Sequence, residues 1–232
     1  MGKKMRSWGS VFRRAFPATV PVLTGFSVLG LAYGILMSSK GYGPEWSLLF
    51  SATAFCGSMQ FVAVTFLTGA FAPVPAFLLS LMVNARHLFY GLSMLDKYRG
   101  VGRRKGFLIF ALCDETFAIN STALVPEDMA AGDFYLAVSL LDWLYWVAAS
   151  FLGGVLGNFL AVNTKGLDFA LTAMFVVLFL EQMKTRKNAF CGLTGILAAV
   201  LSLMVLGGDN MVIPAMALIL AVLLGGRNKL CD

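Results

Sequence analysis

The chain has 232 residues, of which 59% are hydrophobic and only 13% are charged, and its formal net charge is +6. Since an average soluble domain is roughly 25% charged, this composition excludes a soluble enzyme, a secreted disulfide scaffold and a disordered chain. The basic residues lie at the ends of apolar stretches, a placement typical of membrane topology, so a nucleic-acid binder is excluded as well.

The first apolar segment spans about 17–38 and follows a basic stretch over 1–14. Its uncharged run is too long for the core of a signal peptide, so we expect a retained membrane-spanning helix that is entered through Pro17. The stretch 1–14 is then a short cytoplasmic N-terminus. Gly30 and Gly34 have the GxxxG spacing that favours close packing against another helix.

The next uncharged run, over 46–85, is long enough for two crossings and has a natural break at 69–73. Simple alternation of crossings would then place the basic connection 96–105 on the side opposite the basic N-terminus. We therefore expect the segment around Gly57 and Ser58 to be broken and re-entrant. Irregular backbone at membrane depth is tolerated where it is buried in protein or lines a wet cavity, which makes this segment a candidate site.

A further helix is predicted over about 106–124, with Asp114 and Glu115 in its middle, and an acidic loop follows over 125–133. The long segment 134–162 contains Gly153 and Gly154. The charge bias predicts that this segment is irregular too. Shorter apolar segments and a short tail complete the chain, at about 167–181, 189–206, 210–226 and 227–232.

Taken together, the segments predict an all-α polytopic membrane protein with about seven to eight transmembrane helices in one bundle over 15–226. The stretches 52–58 and 148–154 share small and aromatic residues, and this weak match indicates a possible internal repeat. The four cysteines form no CxxC pair, so neither a metal site nor a disulfide framework is predicted.

Ionisable residues inside apolar segments are the informative ones, because each costs about 2.5–3.5 kcal/mol at a helix centre. They are expected to pair with one another or to face a water-filled path. Arg86 either balances an acid or extends toward the membrane surface. Asp114 and Glu115 are candidates for ammonium or proton binding, whereas Asp142 is the weakest case because it follows the acidic loop.

The uncharged candidates come from the broken segment and from the helix after it. Freed amides at Gly57 and Ser58, together with the side chain of Gln60, favour a substrate carboxylate; the alternative is a simple glycine kink. His87 is the only histidine, which excludes a multi-histidine metal site. Its imidazole is either buried and hydrogen-bonded or handles a proton.

Three motifs occur in order along the chain: Cys56-Gly57-Ser58-Met59-Gln60-Phe61, Asn84-Ala85-Arg86-His87-Leu88-Phe89-Tyr90-Gly91 and Asp114-Glu115-Thr116-Phe117-Ala118. Together they resemble the motifs of the AzlC family of branched-chain amino acid permeases. The likeness extends from about 17 to 227. Met59 and Cys113 depart from the family pattern and bear on substrate preference more than on fold.

The resemblance implies the large subunit of a two-component exporter of leucine, isoleucine and valine in the bacterial cytoplasmic membrane, working with a small AzlD-type membrane subunit and without a cofactor. It marks ten candidate positions: Gly57, Ser58, Gln60, Asn84, Arg86, His87, Tyr90, Asp114, Glu115 and Phe117. Two other readings stay open at this point, an intramembrane lipid-modifying enzyme and a non-transporting membrane scaffold.

Overall fold

The computed structural model describes residues 8–69, 73–125, 129–159, 176, 179–180, 183, 186–207 and 212–225, and every secondary-structure element in these ranges is helical. The chain divides into two compact units, 1–167 and 168–232. Among the described helices, three stretches are long and apolar enough to cross a membrane: Trp8–Ser39, Ala131–Phe159 and Ala189–Leu206.

The first unit contains seven α-helices within the described ranges, and a short 3-10 turn at Gly102–Arg104 precedes the fifth. They are α1 Trp8–Ser39, α2 Pro44–Thr53, α3 Gly57–Thr68, α4 Pro73–Met94, α5 Lys105–Phe110, α6 Asp114–Thr122 and α7 Ala131–Phe159.

α1 and α7 run parallel and pack through small residues. A Cβ atom added at Gly30 would lie 2.6 Å from a Cβ atom of α7, and one added at Gly153 would lie 2.8 Å from the Cα of Leu31. Both distances are shorter than van der Waals contact, so glycine is what lets the two backbones approach. The predicted packing role of Gly30 and Gly34 is confirmed. The prediction of irregular backbone at Gly153 and Gly154 is wrong, because α7 continues through both.

α1 also begins earlier than predicted, at Trp8 rather than near Pro17, and includes Pro17 within the helix. The extension is held by packing, since Val11 and Ala15 are buried in a cluster of apolar residues from α4, α5 and α7. The boundary that we expected between the basic stretch 1–14 and the helical bundle 15–226 therefore falls inside α1.

The predicted break at Gly57 is confirmed, and the chain reverses there. α2 ends at Thr53 and α3 begins at Gly57. The hydroxyl of Tyr42, just before α2, donates to the carbonyl of Leu67 near the end of α3 at 2.9 Å. Both ends of Pro44–Thr68 therefore lie at the end of the unit where α1 finishes. We call this segment the first hairpin.

The single helix predicted over 106–124 is wrong, because residues 111–113 interrupt it. Asp114 and Glu115 form the first turn of α6 rather than the middle of a helix. Near the end of α6, the amide of Asn120 donates to the hydroxyl of Tyr98, which precedes α5. Lys105–Thr122 therefore also folds back on itself, and we call it the second hairpin.

The two hairpins enter the first unit from opposite ends. Arg104, beside the start of the second hairpin, pairs with Asp133 and lies 5.3 Å from the ring centroid of Trp8, so this hairpin starts at the end where α1 begins. α1 and the first hairpin thus form one repeat, and α4 and the second hairpin form a similar repeat that runs in the opposite direction. Inverted repeats of this kind are typical of secondary transporters. The repeat expected between 52–58 and 148–154 is not seen, because the former contains the reversal and the latter is continuous helix.

Within its described residues, the second unit contains two packed helices, α8 Arg186–Leu206 and α9 Val212–Gly225. α8 is followed by Gly207, whose φ of 73° lies in the left-handed region that glycine adopts most easily. These helices match the predicted segments 189–206 and 210–226. The segment predicted over 167–181 lies almost wholly outside the described residues.

Candidate functional site

The tips of the two hairpins meet inside the first unit. The rings of Phe55 and Phe110, one from each tip, have centroids 6.5 Å apart. α3 begins at Gly57 and α6 begins at Asp114, and no side-chain hydrogen bond caps either start. Because first-turn amides give a helix N-terminus partial positive charge, both tips favour negatively charged groups.

Arg86 of α4 connects the two tips. Its Nη1 lies 2.8 Å from Oδ2 of Asp114, and its Nη2 donates to the hydroxyl of Ser58 at 2.9 Å. The two charged side chains are 32% and 29% exposed. Oδ1 of Asp114 and Nε of Arg86 make no hydrogen bond with the described part of the chain. The ion pair therefore retains capacity to bind a further polar group.

An aromatic pair adjoins this ion pair. Tyr90, one helical turn after Arg86, stacks on Phe117, which lies one turn after Asp114. Their ring centroids are 4.5 Å apart and the planes are 15° from parallel. Four predicted residues and the hydroxyl of Ser58 thus form one group, with charges at one end and an apolar surface beside them. We call it the ion-pair group.

Other predicted residues lie on a different face of α4. Asn84, Leu88 and Gly91 follow a helical stripe and line a cavity of about 590 Å³ between the hairpin tips and α4. Arg86 lies about 160° around the helix from Asn84 and Leu88, since each residue turns the helix by about 100°. The structure therefore places the predicted positions of α4 on two faces of this helix.

The cavity face contains its own polar contacts. The Cys56 thiol donates to Oδ1 of Asn84 at 2.8 Å, and Nδ1 of His87 lies 3.3 Å from the carbonyl oxygen of Asn84. Gln60 also lines this cavity but is only 2% exposed. His87 therefore has a backbone partner within reach of one ring nitrogen, and its side chain is half-buried.

Trp146 of α7 fixes the tip of the first hairpin. Its indole N–H donates to Oε1 of Gln60 at 2.5 Å, while the Gln60 amide donates to the hydroxyl of Ser51 at 3.3 Å. A Cβ atom at Gly57 would lie 3.0 Å from Cη2 of the same indole. The contacts of Gln60 and Gly57 with Trp146 thus hold the reversal of the first hairpin in position. At the tip of the second hairpin, Glu115 is half-buried beside Asp114.

A wider cavity of about 1110 Å³ opens at the end of the unit where α1 begins. Its lining includes Arg13 and Arg14 of α1 and extends along α6 from Thr122 to Ala118. Ala118 lies one helical turn from Asp114. The cavity therefore reaches from the basic end of α1 to the neighbourhood of the ion-pair group.

Two residues at the centre of the unit had little signal in the sequence. Trp146 is 2% exposed and Asp142 is 0% exposed, and Oδ2 of Asp142 accepts a hydrogen bond from Thr116 at 3.0 Å. Asp142, the weakest ionisable candidate in the sequence, is therefore completely buried. The one available signal was the four-residue spacing between Asp142 and Trp146, which places them on one helix face.

Interrupted helices that meet at a partly accessible ion pair define a polytopic helical membrane protein with a polar site between its hairpin tips. Comparison with known proteins identifies the family. Residues 21–160 match the family described as AzlC protein, and the chain belongs to this family. No solved structure matches the chain.

The relatives cover most of the chain. It is 51% identical over 223 residues to the branched-chain amino acid transport protein AzlC of Bacillus subtilis (strain 168), which covers 96% of the chain and 87% of the relative. An uncharacterized membrane protein of Haemophilus influenzae is 36% identical, covering 88% of the chain and 84% of the relative. The inner membrane protein YgaZ of Escherichia coli (strain K12) is 26% identical, covering 82% of each chain.

Proposed function

We propose that the chain is a secondary transporter, and not an enzyme, that moves leucine, isoleucine and valine across the cytoplasmic membrane. The observation that carries this proposal is the ion pair of Arg86 and Asp114 at the junction of two hairpin tips. A zwitterionic amino acid presents one carboxylate and one ammonium, and the pair offers one group of each opposite sign. Relatives with membrane-protein and transport-protein names support the same class.

The carboxylate is assigned to Arg86, the Ser58 hydroxyl and the free amides at the start of α3. Planar guanidinium groups bind carboxylates through paired N–H donors, and a helix N-terminus adds a favourable dipole. The ammonium is assigned to Asp114, with Glu115 next to it. Binding of substrate then replaces the internal ion pair by two ion pairs to the ligand, so neither charge is left unpaired.

The branched side chain is assigned to the aromatic surface of Tyr90 and Phe117. Each buried CH2 group contributes about 0.8 kcal/mol, so an apolar surface of this kind discriminates leucine from alanine. The wide cavity between α1 and α6 provides the route to the site from one side of the membrane. In this assignment the hairpin tips are supported by Asn84 and His87 on the other face of α4 and by Gln60, which contacts Trp146.

The export direction and the assembly with a small AzlD-type membrane subunit follow from the family resemblance and belong to the same proposal. So does the cytoplasmic position of the N-terminus. The bundle is the transporting part in this assignment, and the substrate crosses between the two hairpin tips.

The test is counterflow of radiolabelled leucine in proteoliposomes that contain the chain alone, the chain with the small subunit, or neither. We expect exchange with the chain present and faster exchange with both subunits. If Asp114→Asn and Glu115→Gln variants both exchange at the wild-type rate, the assignment of the acids is wrong. If no preparation exchanges leucine above empty vesicles, the transport function itself is wrong.

A further inference from the structure

Four polar residues between α6 and α7 are completely buried and take no part in the ion-pair group. Thr116 and Asn120 are one turn apart on α6, while Ser139 and Asp142 are three residues apart on α7, and all four are 0% exposed. We call them the buried polar cluster. Burying polar groups at this depth costs free energy unless they are hydrogen-bonded, so their presence calls for a physical reason.

The contacts around the buried polar cluster show in which direction α6 and α7 run past each other. The Thr116 hydroxyl donates to Oδ2 of Asp142 at 3.0 Å. Near the other end of α6, the Asn120 amide donates to Tyr98, whose ring lies 5.7 Å from that of Tyr135. The helices are therefore antiparallel.

Ser139 lies between these two contacts on α7. It is four residues after Tyr135 and three before Asp142, so all three share one face of the helix. Ser139 thus lies on the face of α7 that carries Asp142.

Three atoms of the cluster have no hydrogen-bond partner among the described residues. They are Oδ1 of Asp142, Oδ1 of Asn120 and the hydroxyl of Ser139. Two of them are acceptor oxygens without a donor. A completely buried carboxylate with one unpaired oxygen costs free energy, and one added proton lowers that cost because the neutral carboxylic acid carries no charge.

We propose that Asp142 is the binding site of a proton that is coupled to amino acid transport. The step is the addition of one proton to the carboxylate, which becomes a neutral carboxylic acid, and its later release. The inference rests on the proposed transport function and adds the coupling ion and its position. Thr116 links the site to substrate binding, since it lies two residues from Asp114 on the same short helix.

Two hydrogen bonds position the cluster along the second hairpin. Thr116 bonds Asp142 beside the tip of this hairpin, and Asn120 bonds the hydroxyl of Tyr98 in the connection before α5. The cluster therefore extends from Asp142 toward the side of the unit where α1 begins.

A proton fits the cluster better than a sodium ion. The Thr116 hydroxyl hydrogen and the Asn120 amide are already directed at partners, and Asp142 is the only carboxyl among the four residues. Sodium coupling is an outcome that the test below detects.

Several titratable or charged groups adjoin the cluster from the elements packed against it. Cys113 lies 3.2 Å from the Thr116 hydroxyl, and Lys97 donates to the backbone carbonyls of Asn120 and Ser121. The remaining groups are Glu115 of α6, Tyr98 before α5, Tyr135 and Tyr145 of α7 and Tyr33 of α1, which packs on Trp146.

The experiment compares two activities of the chain with its small subunit in proteoliposomes. The first is leucine counterflow at equal pH on both sides, and the second is leucine accumulation driven by an imposed pH gradient. One pH unit is about a tenfold proton ratio, so coupling to one proton supports accumulation of up to about 10-fold. Asp142→Asn keeps the shape of the neutral carboxyl and removes its titration.

We expect Asp142→Asn to keep leucine counterflow and to lose accumulation driven by the gradient. Asp142→Glu should retain gradient-driven accumulation with a changed pH profile. Asp96→Asn is the matched control, since this carboxyl is 88% exposed and pairs with Arg99 three residues away; it should behave as wild type in both assays.

Three results would overturn the proposal. One is gradient-driven accumulation by Asp142→Asn at the wild-type level, with counterflow intact, which leaves the transport function standing. A second is accumulation driven by a sodium gradient and unaffected by pH. If counterflow is absent in the wild type as well, the proposed transport function fails and the coupling role fails with it.

Discussion

Arg86 and Asp114 form an ion pair between two helices that run in the same direction, with 2.8 Å between Nη1 and Oδ2. Arg86 belongs to α4, whereas Asp114 is the first residue of α6, at the tip of the second hairpin. The same guanidinium also bonds Ser58 at the tip of the first hairpin. One side chain thus holds together the two places where the backbone is interrupted.

The first prediction separates stability from binding at this pair. Asp114→Asn should lower the melting temperature in detergent, because it leaves the Arg86 charge without its partner. The double variant Arg86→Gln with Asp114→Asn should recover part of that stability while leucine counterflow stays about 10-fold or more below wild type. A double variant that exchanges leucine normally would show that the pair has only a structural role.

The second prediction concerns the contact between α1 and α7. A Cβ atom at Gly34 would collide with the backbone at Ser150 and Gly154, whereas one at Gly25 has nothing within 4 Å. Gly34→Ala should therefore lower the free energy of unfolding by about 1–3 kcal/mol or more.

Gly25→Ala is the matched control for Gly34→Ala, since both lie in α1. It should be neutral or stabilising by up to about 1 kcal/mol, because alanine favours a helix more than glycine does. Thermal unfolding in one detergent measures both variants. Equal effects would mean that the two helices are not in close contact at Gly34.

The third prediction concerns the tip of the first hairpin. Trp146→Phe removes the indole N–H that Gln60 accepts at 2.5 Å, leaving a buried amide oxygen without a donor. The expected loss of stability is about 1–3 kcal/mol. Trp46→Phe, at a tryptophan that is 45% exposed, should change the melting temperature little. A smaller loss for Trp146→Phe than for Trp46→Phe would contradict the proposed support of the tip.

The fourth prediction tests which face of α4 receives the branched side chain. Phe117→Ala should weaken leucine exchange relative to alanine exchange by about 10-fold, since about two CH2 equivalents of apolar contact are lost. Phe110→Ala, which changes the cavity on the other face, should leave this ratio within about twofold. The opposite ranking would move the substrate site into that cavity.

The fifth prediction concerns orientation in the membrane. Arg99 lies in the basic connection before α5, whereas Lys40 follows the end of α1. In a chain whose four native cysteines are replaced, Arg99→Cys should react with an impermeant thiol reagent from the cytoplasmic side and Lys40→Cys from the other. Labelling of Arg99→Cys from outside would contradict the assignment of the N-terminus to the cytoplasm.

The reversal at Gly57 could be predicted from the sequence because two signals agree there. A glycine interrupts an apolar run, and the positions of the basic loops require a segment that does not cross. The reversal before Asp114 has no such local signal, since Ala111, Leu112 and Cys113 all permit a helix. Its stability comes from Arg86 and from the favourable position of an acid at a helix start, which are tertiary effects.

The burial of Asp142 could not be predicted for a related reason. Its environment depends on α6 folding back beside α7, and that depends on the reversal the sequence did not show. Gly153 and Gly154 were misread because glycine favours both irregular backbone and close helix packing. Only the position of α1 decides between these two roles.

The central claim is that Arg86 and Asp114 bind the two charged ends of an amino acid. Competition of unlabelled compounds with radiolabelled leucine on the purified wild-type protein tests it most directly. Leucine should compete, whereas leucinol, which lacks the carboxylate, and 4-methylpentanoate, which lacks the ammonium, should compete at least about 100-fold more weakly, since each forfeits one charge-assisted contact. Equal competition by all three compounds would contradict the account.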